Sequence, residues 1–167
     1  LAPPWPALVN GPSAHSLDYD DWDNPGLTHT SAILVPAILA SASLDASGLD
    51  LFDAHIIGVE IILRIGEVVN MSHYERGWHA TNTVGAIGAA AACARILRLD
   101  GEASANALSL ATSMAGGYTT QFGTSAKPLH AGFAAKSGIL ASFLAQNGAT
   151  GQRSALDGKV SFATLMS

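Results

Sequence analysis

The sequence has little charge and almost no cysteine. Charged residues make up 13% of its 167 residues, about half of the roughly 25% that a typical globular domain carries. The formal net charge is −5 and no run of lysine or arginine occurs, so nucleic acid is not an expected partner. Cys93 is the single cysteine, which excludes a disulfide within the chain and fits a reduced, cytoplasmic setting.

Signals for export and for membrane insertion are also missing. The opening LAPPWPALVN lacks the basic region and the apolar core of a signal peptide. The best candidate for a membrane span, residues 83–97, is shorter than the roughly 20 apolar residues required and contains Arg95. We therefore expect no membrane partner. The sequence begins without Met, and we expect it to be a fragment of a longer chain.

Helical periodicity, in contrast, repeats along the chain and predicts an all-α domain. Ser47 and Asp50 form a start similar to a capping box, and apolar residues from Leu51 to Ile65 run nearly all the way round, which predicts a central, buried helix. Asp100 is expected to cap a later helix. The five predicted helical stretches lie within residues 31–44, 47–69, 81–99, 100–117 and 127–148.

Polar residues concentrate in the connections between these helices, and the first connection is the most acidic. It contains Asp18, Asp20, Asp21 and Asp23, followed by His29 just before a helix. Close carboxylates repel one another, which raises the pKa of some of them and makes them usable acids or bases. The alternative is a solvated acidic loop that caps helices, and spacing alone favours this alternative.

The second connection, GWHATNTVG at residues 77–85, places His79 ahead of a helix. Thr81 and Asn82 offer a hydroxyl, an amide and free backbone N–H groups at the helix start, which is a ready anion site. Simple N-capping by Thr81 or Asn82 is compatible with anion binding. The second connection therefore remains a candidate site under both interpretations.

The third connection, GTSAKPLHAG at residues 123–132, places Lys127 at the start of another helix and His130 one turn further on. A cation beside a helix N-terminus strengthens the attraction for a carboxylate or a phosphate. An exposed lysine before a helix with proline in its first turn explains the pattern equally well.

Other reaction classes find less support in the sequence. No HExxH, CxxC or tight His/Asp ligand set appears, so a metal site is disfavoured, and serine hydrolysis lacks its GxSxG motif. His55 is expected to be a hydrogen-bonded core histidine. His73 is compatible with either a structural or a functional role.

Taken in order, the polar connections and the helices between them resemble the MmgE/PrpD family. Its members include 2-methylcitrate dehydratase, cis-aconitate decarboxylase and iminodisuccinate epimerase. The most specific stretches are GWHATNTVGAIGAAAA and KPLHAGFAAKSG. The resemblance implies a bundle-like helical domain and a homodimer. It also implies that residues 1–167 are part of that domain, without the family's N-terminal helices and its later α/β lid domain.

Catalytic positions of the family fall on Asp18, His29 and His79. The family's reactions share the handling of a proton on a carbon next to a carboxylate, which requires a base and an acid. The resemblance implies that these three side chains supply both. Neither a metal nor an organic cofactor is required by this scheme.

The resemblance also assigns residues to substrate binding. The family's lysine falls on Lys127, and with Thr81 and His130 at two helix starts it is expected to hold the substrate's carboxylates. Two departures from the family pattern, Trp22-Asp23 in place of a common threonine and Thr30 in place of a common proline, are expected to reshape the pocket.

The predicted function is therefore that of a lyase or isomerase acting on a small di- or tricarboxylate, similar to 2-methylcitrate dehydratase. One alternative is a catalytically incomplete helical fragment whose exposed apolar surface serves oligomerisation. A weaker alternative is a metal-dependent hydrolase that uses the Asp/His stretch.

Overall fold

The computed structural model describes residues 2–167, and these residues form an all-helical domain, as predicted. Across that range the pairing of strands is limited to one isolated antiparallel bridge between Trp78 and Tyr118. Two short 3₁₀ turns, Thr119–Gln121 and Arg153–Ala155, interrupt the connections. The α-helices of the described range are α1 (Trp5–His15), α2 (Thr30–Ser41), α3 (Gly48–Val69), α4 (Ser72–Glu75), α5 (Ala80–Ile96), α6 (Gly101–Thr112), α7 (Ala126–Gln146) and α8 (Phe162–Met166).

Helix α5 forms the centre of the domain. Sixteen of its 17 residues are buried, and only Arg95 is not. Helices α2, α3, α6 and α7 pack around it. This is possible because α5 is built almost entirely from Ala, Gly and other small residues, so that neighbouring backbones come close on every side. The core therefore depends on close backbone packing more than on large side chains.

The prediction that α3 is the central, buried helix is wrong. Its buried residues form one stripe at helical spacing, and the outer face leaves Phe52 67% and Ile56 61% exposed. The stripe packs on α5. Apolar residues on all sides of a helix do not by themselves show that every side is covered, and the outer side of α3 is uncovered within residues 2–167. The buried stripe consists of Ala54, Gly58, Ile62, Gly66 and Val69.

The predicted caps are partly confirmed. Ser47 and Asp50 form a reciprocal capping box at the start of α3, and the Asp100 carboxylate accepts a hydrogen bond from Ala103 N at 2.8 Å. Helix α5, however, starts at Ala80, ahead of the Thr81 and Asn82 that were expected to cap it. Every helix of the described range is too short or too polar to cross a lipid bilayer.

The close packing of α5 against α7 gives a stability prediction. A Cβ added at Gly138 of α7 would lie 2.6 Å from Ala89 C and from Ala90 N of α5. Gly138→Ala is therefore expected to lower the free energy of unfolding by about 1–3 kcal/mol, the usual cost of overpacking. Gly101→Ala is the matched control, because nothing lies within 4 Å of its added Cβ.

The measurement is urea unfolding followed by circular dichroism. The control is expected to be neutral or more stable by up to about 1 kcal/mol. Equal stability of the two variants would contradict the packing described here.

Candidate active site

A cavity of about 410 Å³ lies where three helices begin. His29 is the N-cap residue of α2, His79 is the N-cap residue of α5, and Lys127 lies in the first turn of α7. Asp18 reaches the same space from the loop after α1. The structure thus brings together the four positions that the resemblance singled out. The residues that line the cavity are Asp18, Trp22, Leu27, His29, Met71, Tyr74, His79, Phe122 and Lys127.

Lys127 and Asp18 form the ion pair of this cavity. Lys127 Nζ donates a hydrogen bond to Asp18 Oδ1 at 2.5 Å, and His29 Nε2 lies 3.8 Å from the same oxygen. The hydrogen bond from Lys127 lowers the pKa of Asp18, so this carboxylate is ionised near neutral pH. The prediction that crowding raises carboxylate pKa values is wrong for Asp18, because the Lys127 ammonium group stabilises its negative charge.

A second carboxylate holds two imidazoles. Asp20 Oδ2 lies 2.9 Å from Nδ1 of His15, the last residue of α1, and 3.1 Å from Nδ1 of His29. The two imidazole rings lie 4.3 Å apart between centroids. Burial and the nearby His29 lower the pKa of His15. Asp20 therefore hydrogen-bonds to His15, whereas His29 Nδ1 lies close to the same carboxylate without a hydrogen-bond partner among the described residues.

The remaining two aspartates of the loop serve local structure. Asp21 accepts a hydrogen bond from Ser31 N at 3.0 Å and bonds from the hydroxyls of Thr30 and Ser31, so it caps α2. Burial acts to raise the pKa of Asp21, but the bonds from Thr30 and Ser31 outweigh it and the pKa is lowered. Asp23 accepts bonds from the backbone and hydroxyl of Thr28. The helix-cap interpretation is thus confirmed for Asp21.

His79 is a buried, neutral imidazole at the cavity wall. Only 3% of it is exposed, and burial lowers its pKa to about 3. Its Nδ1 lies 2.7 Å from Nδ1 of His130, which leaves Nε2 as the nitrogen available to the cavity. The ring of Phe122 contacts it edge to face, with centroids 4.8 Å apart. The backbone N–H of His79 donates to Gly117 O at 3.1 Å.

Thr81 and His130 do not reach the cavity that they were expected to share with Lys127. Thr81 is fully buried, and its Oγ1 has no hydrogen-bond partner among the described residues. His130 lies behind His79 and lines a different cavity. Because α5 begins at Ala80, Thr81 already points into the helical core. The expectation that Thr81 and His130 touch substrate in this cavity does not match their positions.

Two other histidines, His73 and His55, lie outside this cavity. His73 is fully buried, with Nε2 2.7 Å from Thr83 Oγ1 and Nδ1 2.8 Å from the Met166 carbonyl oxygen, so it is a structural residue. The expectation for His55 is wrong, since its buried Nδ1 has no hydrogen-bond partner within residues 2–167. It lies in an apolar groove between α2 and α3.

The fold assembles a His/Asp cluster that the spacing of the sequence did not show. His15, Asp18, Asp20 and His29 each offer one ligand atom, and these atoms lie within 4.8 Å of one another. Imidazole nitrogens and carboxylate oxygens are ligands that a divalent cation accepts. The ammonium group of Lys127, however, already supplies positive charge to Asp18. That no metal is required stays a prediction.

Comparison with known proteins places this chain in a family. The MmgE/PrpD N-terminal domain matches residues 1–167. Cis-aconitate decarboxylase of Homo sapiens is 38% identical over 168 residues, which cover 97% of this chain and 35% of that protein. The Mus musculus protein of the same name is 37% identical over 94% of this chain and 33% of its own length. A cis-aconitate decarboxylase of Aspergillus terreus is 30% identical, over 94% of this chain and 34% of that protein.

The chain therefore belongs to the MmgE/PrpD family. It spans about a third of the length of these relatives. Both departures from the family pattern that the sequence showed lie at the site: Trp22 lines the cavity, and the Thr30 hydroxyl binds the Asp21 carboxylate.

The buried state of His79 predicts how stability depends on pH. Its folded pKa of about 3 lies below its usual 6.5, so the unfolded chain binds more protons between these values and stability rises with pH. The free energy of unfolding is expected to fall by about 2 kcal/mol from pH 6.5 to pH 4.5 through this residue. His15, His73 and His130 act in the same direction.

The measurement is urea unfolding at several pH values for the wild type and for His79→Asn. The variant is expected to show a shallower loss of stability towards acid pH. Parallel curves for the two proteins would mean that His79 is not buried in its neutral form.

Proposed function

We propose that the protein is a lyase acting on a small di- or tricarboxylate, with cis-aconitate as the best supported substrate. The single observation that carries this proposal is the meeting of an ionised Asp18, a neutral His79, His29 and the Lys127 ammonium group around one cavity. Relatives that match almost the whole chain act on cis-aconitate, according to their names. Decarboxylation is therefore favoured over dehydration of 2-methylcitrate or epimerisation, which the sequence alone left open.

Substrate binding would rely on positive charge at the helix starts. The ammonium group of Lys127 has three N–H donors, one of which reaches Asp18. The N-termini of α2, α5 and α7 add partial positive charge near the cavity. A polycarboxylate would place one carboxylate against Lys127 and the start of α7. The ammonium group and the helix N-terminus would stabilise its negative charge there without a metal.

Proton transfer would fall to the imidazoles and Asp18. Loss of CO₂ breaks a C–C bond and leaves the electron pair on carbon, and that carbon must then receive a proton from an acid in the site. His29 lies between the carboxylates of Asp18 and Asp20, at 3.8 Å and 3.1 Å, and a proton donor at this position would be stabilised in its charged form by both. His79 presents a neutral Nε2 to the same cavity, which suits a base or a hydrogen-bond partner.

This proposal predicts that His79→Ala and Lys127→Ala retain the fold and lose activity in the complete protein. Removing a positioned acid or base costs about 10²–10⁴-fold in rate. The matched control is Lys159→Ala, because Lys159 is exposed and lies outside the cavity. Turnover of cis-aconitate is followed by CO₂ release, with and without EDTA.

EDTA is expected to leave the rate unchanged, because Lys127 supplies the positive charge that a metal would otherwise bring. Turnover at the wild-type rate in both variants would refute the assignment of these two residues.

The alternative function, a helical scaffold for oligomerisation, is favoured by one observation. A groove of about 360 Å³ between α2 and α3 is lined by exposed apolar side chains, among them Val35, Leu39 and Phe52. Apolar surface of this kind marks interaction sites. The expected homodimer stays a prediction.

Thermal unfolding distinguishes the two functions. Cis-aconitate and citrate are expected to raise the melting temperature of the wild type, since a ligand that binds only the folded state stabilises it. Lys127→Ala is expected to lose this effect, whereas Lys159→Ala keeps it. An unchanged melting temperature for the wild type with every polycarboxylate would favour the scaffold.

A further inference from the structure

The contact between His79 and His130 joins two separate cavities. His79 lines the cavity of the proposed active site, and His130 lines a second cavity of about 440 Å³. No residue within the described range lines both cavities. The polar contact between the two rings joins their Nδ1 atoms, at 2.7 Å. Both residues are buried, with 3% and 5% of their surfaces exposed.

The distance between the two nitrogens defines their protonation. Two neutral imidazoles can approach to 2.7 Å through Nδ1 only when one nitrogen carries the proton and the other accepts it. The donor and the acceptor therefore hold different tautomers. The two tautomers exchange when the shared proton crosses between the Nδ1 atoms while one Nε2 gains a proton and the other Nε2 releases one, and neither ring has to move.

The far nitrogen of His130 reaches the second cavity. His130 Nε2 has no hydrogen-bond partner among the described residues, and it lies 3.2 Å from the position that a Cβ on Gly117 would occupy. Gly117, whose φ of +107° favours glycine, also lines the second cavity. Exposed Tyr118 stands in the same wall, so water has access to this space.

We propose that His130 is the proton-relay partner of His79, exchanging protons between the active-site cavity and the second cavity. The inference rests on the proposed function, because it needs His79 to act in proton transfer. It replaces the expected contact of His130 with substrate by a role exerted through His79. His130 is therefore a positioning and relay residue that touches no substrate.

The relay balances in both directions. When His79 Nε2 takes a proton from substrate or water, the proton on His79 Nδ1 passes to His130 Nδ1, and His130 Nε2–H releases its proton into the second cavity. His79 is then neutral with its proton on Nε2, ready to donate it. Return of a proton to His130 Nε2 drives the reverse transfer and restores the first state. No other reactant is consumed.

Charges around the pair favour its neutral state at rest. Lys127, His15 and His29 all disfavour a proton on His79, and Lys136 is the charged residue in the wall beside His130. Burial lowers the pKa of both imidazoles. Each proton that enters the pair therefore leaves again, which is what a relay requires and a permanent ion pair would prevent.

The test uses the complete protein and two substitutions at one position. The His130→Asn amide can still bond to His79 Nδ1 but cannot carry a proton onwards. It is expected to lower kcat for cis-aconitate by about 10²-fold, with KM little changed. His130→Ala is expected to lose a similar factor and to regain part of it with added imidazole, which can enter the second cavity. His55→Gln is the control, with wild-type kcat and no response to imidazole.

The outcomes separate the relay from the proposed function. Wild-type kcat in His130→Asn would overturn the relay and leave the proposed function standing, as would a folded His130→Ala that imidazole does not rescue. If the wild type turns over no polycarboxylate, the proposed function fails and the relay fails with it. Nitrogen NMR of the histidines then still reports on the pair, since the structure requires a shared proton between the two Nδ1 atoms. Two identical tautomers would overturn that contact itself.

Discussion

The structure depends on one packing constraint, the burial of α5 on every side. A helix can be surrounded by four others only if its side chains are small, and α5 meets this requirement with Ala and Gly through most of its length. Burial of the whole helix also fixes where its N-terminus lies. His79, as the N-cap residue, is held at the wall of the cavity by the same packing that forms the core. The same packing of α5 therefore forms the core and positions one wall of the cavity.

Electrostatics explain why a chain with so little charge gathers acids in one loop. Each of the four carboxylates contacts a polar partner. The partners of Asp18, Asp21 and Asp23 lie at or just before the start of α2 or α7. Asp18 pairs with a cation and Asp20 with two imidazoles, so neither is an isolated buried charge. Asp21 and Asp23 fix the loop backbone ahead of α2. Asp21 and Asp23 therefore fix the loop that carries Asp18 and Asp20.

Sequence patterns predicted the helical class and the capping box of α3, and the family resemblance implied that the three connections share one site. They missed α1, whose prolines and glycine obscure helical periodicity, and they mistook α3 for the central helix. Periodicity reports which residues are apolar but not which faces are covered by neighbours. The roles of His15 and His130 depend on contacts with residues far away in the chain or in other elements. The one signal in the sequence was their position near helix ends, since His15 is the last residue of α1 and His130 lies one turn into α7.

The ion pair between Lys127 and Asp18 has a consequence for how the site responds to an anion. The ammonium group holds the carboxylate in its ionised form, and it does so through one direct bond. A carboxylate that arrives from solution competes for the same ammonium group. Once Lys127 turns towards the newcomer, the pKa of Asp18 rises and the side chain gains affinity for a proton. Binding of an anion to Lys127 would therefore make Asp18 a stronger base than it is in the unliganded site.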